Sequence, residues 1–101
     1  MGHPYGSNVL EILTGTRVLT QAEVDDNNLF TFDPDGNRNL DLPAEADCTG
    51  IVLYIHNAAS GAEVITIRDD AAGTVCTPAL DQTAIVWCDG VSWHGHVGSA
   101  A

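Results

Sequence analysis

Apolar residues recur at every second position in short runs along this chain, and each run is bounded by Gly, Asn, Asp or Pro. A spacing of two is the signature of extended backbone with one buried face, because successive side chains of a strand point to opposite sides. Helical spacing is nearly absent. The one segment with helical character is residues 21–27, where Ala22, Glu23 and Val24 precede Asp25 and Asp26. Turn signals fall about every eight to twelve residues, the interval of a β-sandwich or barrel. The expected fold is therefore all-β, with about eight short antiparallel strands.

A chain of 101 residues has room for one core and one domain. Residues 1–15 begin with Gly2, Pro4 and Gly6 and turn apolar at Val9, Leu10, Ile12 and Leu13. They read as an N-terminal arm able to dock on a neighbour, with the β-domain over residues 16–101.

Three parts of the strand pattern carry register information. Residues 29–32 and 38–42 flank Pro34, Asp35, Gly36 and Asn37. Pro presets φ and Gly accepts positive φ, so the pair reads as a hairpin with Phe30, Phe32, Leu40 and Leu42 inward. Residues 50–56 hold Ile51, Val52, Leu53, Tyr54 and Ile55 in succession, so this strand is apolar on both faces. Such a strand is either central in a two-layer core or part of a subunit contact. Further strands are expected at residues 64–67 and 74–76. In the closing hairpin, Asp89-Gly90 reads as a two-residue turn that pairs Cys88 with Val91, Val86 with Trp93 and Ala84 with Gly95. That register puts Ala84, Val86, Cys88, Val91, Trp93 and Val97 on the core face, and Ile85, Trp87, Ser92, His94 and His96 on the other.

Charge narrows the range of partners. Fourteen Asp and Glu face three Arg and no Lys, for a formal net charge of −11. Nucleic-acid binding by phosphate neutralisation needs clustered cations that this chain lacks, and an anionic membrane surface would repel it. No stretch has the length of a membrane span, and residues 1–7 lack the basic start and apolar run of a signal peptide. Cys48, Cys76 and Cys88 show no paired metal-ligand spacing and are expected to be reduced, as in a protein assembled inside a cell.

Few constellations point to chemistry. Asp33, Asp35 and Asp41 lie in a stretch with oxygen-bearing side chains at alternate positions, as in calcium loops. Arg38 stands where such a loop wants its Gly, however, and Ala44 where it wants its bidentate Glu, and the competing reading is a plain hairpin turn. His94 and His96 project two imidazoles from one strand face, a spacing used in some β-barrel metal sites, but a third ligand is not in evidence. The serines lack a nucleophile elbow, and acidic pairs such as Asp25-Asp26 follow from composition alone. No catalytic residue, cofactor or metal site is assigned, and the chain is expected to work by binding.

The series Arg38-Asn39-Leu40-Asp41-Leu42-Pro43, then Gly50 through Asn57, then Ile65-Thr66-Ile67-Arg68-Asp69, then Val86-Trp87-Cys88-Asp89-Gly90-Val91-Ser92-Trp93 resembles a small β-domain of head-decoration (cement) and fibre proteins of tailed bacteriophages. The resemblance spans roughly residues 16–97. It implies a β-barrel or jelly-roll-like fold in a homotrimer made in the host cytoplasm. That trimer would sit on the outer capsid surface of the virion and bind the major capsid protein. The absence of a repetitive shaft favours a cement protein over the alternative, a receptor- or carbohydrate-binding module of a phage fibre. On this reading Pro4, Tyr5, Asn8, Val9 and Leu10 form the capsid contact. Val52, Tyr54, Ile85 and Trp87, the second apolar faces of their strands, form the oligomer interface.

Overall fold

The computed structural model describes residues 6–7 and 10–99, with side chains described for 10–98. Ten strands follow in order: β1 (Gly6–Ser7), β2 (Glu11–Leu13), β3 (Arg17–Val18), β4 (Asn27–Pro34), β5 (Arg38–Asp41), β6 (Val52–Asn57), β7 (Ile65–Arg68), β8 (Thr74–Cys76), β9 (Gln82–Cys88) and β10 (Trp93–Ser99). One short helix, α1 (Gln21–Asp26), precedes β4, and a 3-10 turn (Glu45–Asp47) precedes β6.

Helix α1 forms where the sequence has its one helical segment, and its start is fixed by a capping box. The Thr20 hydroxyl accepts from the Glu23 amide at 3.2 Å, and the Glu23 carboxylate accepts from the Thr20 amide at 2.9 Å. These two bonds satisfy donors that a helix N-terminus leaves free. Val24 turns inward and is fully buried, and the helix stops where Asn27 becomes extended and enters β4.

The strands form two sheets, a six-stranded one ordered β1-β4-β6-β9-β10 with β2 also on β4, and a four-stranded one ordered β3-β5-β7-β8. From β2 to β7 the chain alternates between them. β2, β4 and β6 lie side by side and parallel in the larger sheet, and β3, β5 and β7 do so in the smaller. This part of the chain therefore winds as a coil of three turns, each laying one strand in each sheet. The coil ends at β8, which runs antiparallel to β7, and the antiparallel pair β9 and β10 extends the larger sheet beyond β6.

This arrangement corrects the expected fold in two respects. The strands are mixed and not all antiparallel, and the two sheets are not closed into a barrel. The expected hairpin at residues 29–42 is a corner between sheets. β4 and β5 do not pair, and the corner is fastened to its neighbouring turns of coil: the Asp35 amide donates to the Leu13 carbonyl at 3.0 Å and the Arg38 amide to that of Val64 at 3.0 Å. Pro and Gly reverse the chain equally well in either setting. Inward placement does not depend on the difference, and Phe30, Phe32, Leu40 and Leu42 are all buried as expected.

The core lies between the sheets. From the larger sheet come Leu13, Phe30, Phe32, Leu53, Ile55, Ala84, Val86, Cys88 and Trp93; from the smaller come Leu40, Ile65 and Ile67. Leu13 belongs to this core, so residues 11–13, expected in the arm, are a strand of the larger sheet. Two polar groups are accommodated inside. The Trp93 indole donates to the Pro43 carbonyl at 2.9 Å. Asn57, fully buried, donates to the carbonyls of Glu63 and Pro78, each at 3.0 Å, and accepts from the Ala59 amide at 2.9 Å. Its amide thus does the work of a backbone pair at the exit of β6, where an unpaired polar group would be costly.

Candidate functional site

Strand alternation leaves the outer face of the larger sheet to be explained. In β6, Leu53 and Ile55 point into the core, so Val52 and Tyr54 point out; in β9, Ala84, Val86 and Cys88 point in, so Ile85 and Trp87 point out. The antiparallel register sets Val52 opposite Trp87 and Tyr54 opposite Ile85. The four residues expected to form an oligomer interface are therefore brought together as two cross-strand pairs. Each is between 36% and 40% exposed, an amount that leaves a broad apolar surface in water.

The face continues on both sides. Leu29 on β4 lies beside Tyr54 and is exposed, and Ile12 on β2 points outward from the same sheet. Sequence reasoning missed both, although Leu29 is readable: with Phe30 and Phe32 inward, alternation sends Leu29 out. On the other side, β10 sets His94 beside Trp87 and His96 beside Ile85.

The closing hairpin is shifted from its expected register. Cys88 pairs with Trp93, Val86 with Gly95 and Ala84 with Val97, so the turn holds four residues and not two. Asp89 organises it by accepting from the Val91 and Ser92 amides, both at 2.8 Å. Those side-chain bonds are an alternative to a two-residue turn that the Asp-Gly pair alone does not reveal. A slip of two residues preserves the faces, which is why Trp93 is buried and Trp87, His94 and His96 point out as expected. Val91, expected in the core, is 81% exposed in the turn.

Electrostatically the face is set apart from the rest of the chain. β6, β9 and β10 contain no Asp, Glu or Arg, although the chain carries −11. Asp89 and Asp81 stand at its rim, each facing an imidazole, and Asp33 stands beside Ile12 at its β4 side. The His94 Nε2 lies 3.0 Å from Asp89 Oδ2, with the His94 ring stacked on Trp87 at 5.7 Å between centroids. His56 Nδ1 lies 3.0 Å from Thr83 Oγ1, and its Nε2 lies 3.5 Å from Asp81 Oδ1. The hydrogen bond with His94, together with the Ser92 and Val91 amides, holds the Asp89 carboxyl at about 2, below the ordinary range.

Other expected sites are dispersed. Of the proposed capsid contacts, Pro4, Tyr5, Asn8 and Val9 lie outside the described residues, and Leu10 is exposed just before β2. Asp35 is paired with Arg38 at 2.6 Å and Asp41 with Arg68 at 2.6 Å. Among the described residues, no group of three or more His, Cys, Asp or Glu is placed to hold a metal ion. Cys48 and Cys88 are buried thiols whose ionisation is pushed up by burial, and Cys76, partly buried, is pushed up to about 11. A thiol so raised is a poor nucleophile at neutral pH.

No protein-family model matches the chain, and comparison with curated proteins and with solved structures likewise gave no match. What the geometry offers is an exposed, partly aromatic sheet face with no Asp, Glu, Lys or Arg on β6, β9 and β10, suited to contact with another apolar surface.

Proposed function

We propose that this chain is a structural virion protein, a decoration or cement protein that binds the outer capsid surface of a tailed bacteriophage as a homotrimer and holds neighbouring major capsid subunits together. The observation that supports this reading is the outer face of the larger sheet. A strongly acidic chain keeps three adjacent strands free of charged side chains and turns Val52, Tyr54, Ile85 and Trp87 outward on two of them. Contact there brings copies together without opposing like charges, and a trimer multiplies weak attachments to the capsid. The virion setting rests on the sequence resemblance. In this assembly Pro4, Tyr5, Asn8, Val9 and Leu10 face the capsid, and no catalytic residue or cofactor takes part.

The test uses expanded empty capsids. The intact chain is expected to be built of trimers, with a mass of three copies or a multiple of three, and to sediment with them. Removal of residues 1–10 is expected to abolish attachment and leave the oligomer intact, whereas Trp87→Thr is expected to break the oligomer. Trp87 and Tyr54, diagonal neighbours on one exposed face, also fit the sugar-stacking surface of a fibre module. A monomer that ignores capsids and binds host polysaccharide through Trp87 would replace the cement reading with that one.

A further inference from the structure

Sheet edges are hazards because they present unpaired backbone groups, and proteins blunt them with short strands, charges or bulges. Three edges here are blunted. At one end of the larger sheet, β1 and β2 have two and three residues, with a register irregularity at Gly6 and Ser7. In the smaller sheet, β3 has two residues, one of them Arg17 in ion pairs with Glu11 and Glu23. At its far edge β8 has three residues and an irregularity opposite Ile67 and Arg68.

β10 is the exception. It runs for seven residues in unbroken register with β9, contains no Pro and no Asp, Glu, Lys or Arg, and pairs with no second strand among the described residues. The direction of its backbone groups follows from the ladder. The Cys88 amide and carbonyl bond to Ile51 and Gly50 on the β6 side, so the alternate residues Trp87, Ile85 and Thr83 bond to β10 through His94, His96 and Gly98. The amides and carbonyls of Trp93, Gly95, Val97 and Ser99 therefore point away from the sheet.

We infer that this edge pairs with β10 of a second copy of the chain, antiparallel and about a two-fold axis at His96. The outward set is complementary to itself: Gly95 meets Val97 of the second copy, Trp93 meets Ser99, and the full seven residues overlap. His94 falls opposite Gly98, beside which there is open space. The charge distribution leaves this edge open to a second copy. Two chains of −11 repel over most of their surface, and β10 with its neighbours β9 and β6 is where they can meet without opposing carboxylates. Pairing also makes one larger sheet continuous across the two copies. The contact adds to the trimer proposed above and joins two such units, so it deepens that reading while standing on separate residues.

The decisive variant is Val97→Pro, which removes an outward amide and leaves the ladder to β9 untouched, with Val97→Ala as the control that removes the same side chain and keeps the amide. By sedimentation equilibrium the intact chain and Val97→Ala are expected to have twice the mass of Val97→Pro. The unit left by Val97→Pro reports separately on the outer face: three copies if that contact also exists, one if only the edge pairs. Equal masses of three copies for all three chains would overturn the edge pairing and leave the trimer reading standing; equal single-chain masses would overturn both. Should Val97→Pro fail to fold, hydrogen exchange of the Gly95 and Val97 amides in the intact chain decides the matter: protection rising with protein concentration is expected, and concentration-independent rapid exchange overturns it. Removing residues 1–5 is expected to leave the doubling unchanged; its loss would make that segment, and not β10, the added strand.

Discussion

Val52 and Trp87 face each other across the β6–β9 ladder on the outer surface of the larger sheet, and both remain well exposed. The inner sides of the same two strands are packed to completeness, with Leu53, Val86 and Ala84 fully buried. One ladder thus serves two purposes: its inner face holds the fold, and its outer face is free for a partner. Substitutions on the two sides are accordingly expected to separate.

Trp87→Thr and Ile85→Thr keep residues suited to a strand and remove outward apolar surface. Stability to urea is expected to change by less than about 1 kcal/mol. The oligomer is expected to weaken at least tenfold in dissociation constant, read by sedimentation.

Asn57→Ala is expected to be severe. It removes one acceptor and two donors and leaves the Glu63 and Pro78 carbonyls and the Ala59 amide without their partner. A loss of about 2–4 kcal/mol follows from unsatisfied buried groups, measurable by urea unfolding. Asn57→Asp keeps the shape but turns a carboxylate toward two carbonyls, and is expected to cost at least as much at neutral pH.

Gly95 tests the packing of the two sheets. A Cβ built there would lie 2.8 Å from Cys76 Sγ and 2.9 Å from Val75 Cγ1. Both atoms belong to β8, packed against the core, so they have little room to yield. Gly95→Ala is expected to cost about 1–3 kcal/mol by overpacking, and Cys76→Ala is expected to relieve part of that cost in the double variant, by removing the nearer atom.

Acid stability is expected to follow Glu23. Its carboxylate is held at about 2, first by its hydrogen bond with Arg17 and further by the Thr20 amide. A carboxyl depressed in the folded state stabilises the protein above its unfolded pKa, and that contribution is lost as pH falls through the folded value. Stability is therefore expected to hold down to about pH 4.5 and to decline between there and about 2. Arg17→Gln is expected to reduce the part of that decline due to Glu23, in urea melts taken across this range.

The residues made some levels of this structure legible and hid others. Alternation at Phe30/Phe32, Leu53/Ile55 and Ala84/Val86 revealed which side chains go inside, because it depends only on extended backbone. It also identified Val52, Tyr54, Ile85 and Trp87 as outward, and hence the candidate surface. Strand partners were not legible. The corner at Pro34–Asn37 reverses the chain equally well toward its own strand or toward the facing sheet, and the hydrogen bonds that decide, to Leu13 and Val64, come from segments distant in sequence. The four-residue turn at Asp89 was hidden for a related reason, since its shape depends on a side-chain carboxylate that accepts from the Val91 and Ser92 amides. The rim pairs of His56 with Asp81 and His94 with Asp89 depend on the same register and were beyond reach for the same reason.

The central claim is that the outer face of the larger sheet joins copies of this chain into a capsid-binding oligomer. Sedimentation equilibrium of the intact chain, followed by co-sedimentation with expanded empty capsids, tests it most directly. The expected result is a mass of three copies, or six where β10 edges also pair, and recovery of the protein with the capsids. A single-chain mass at all concentrations, with the protein left in the supernatant, would contradict it.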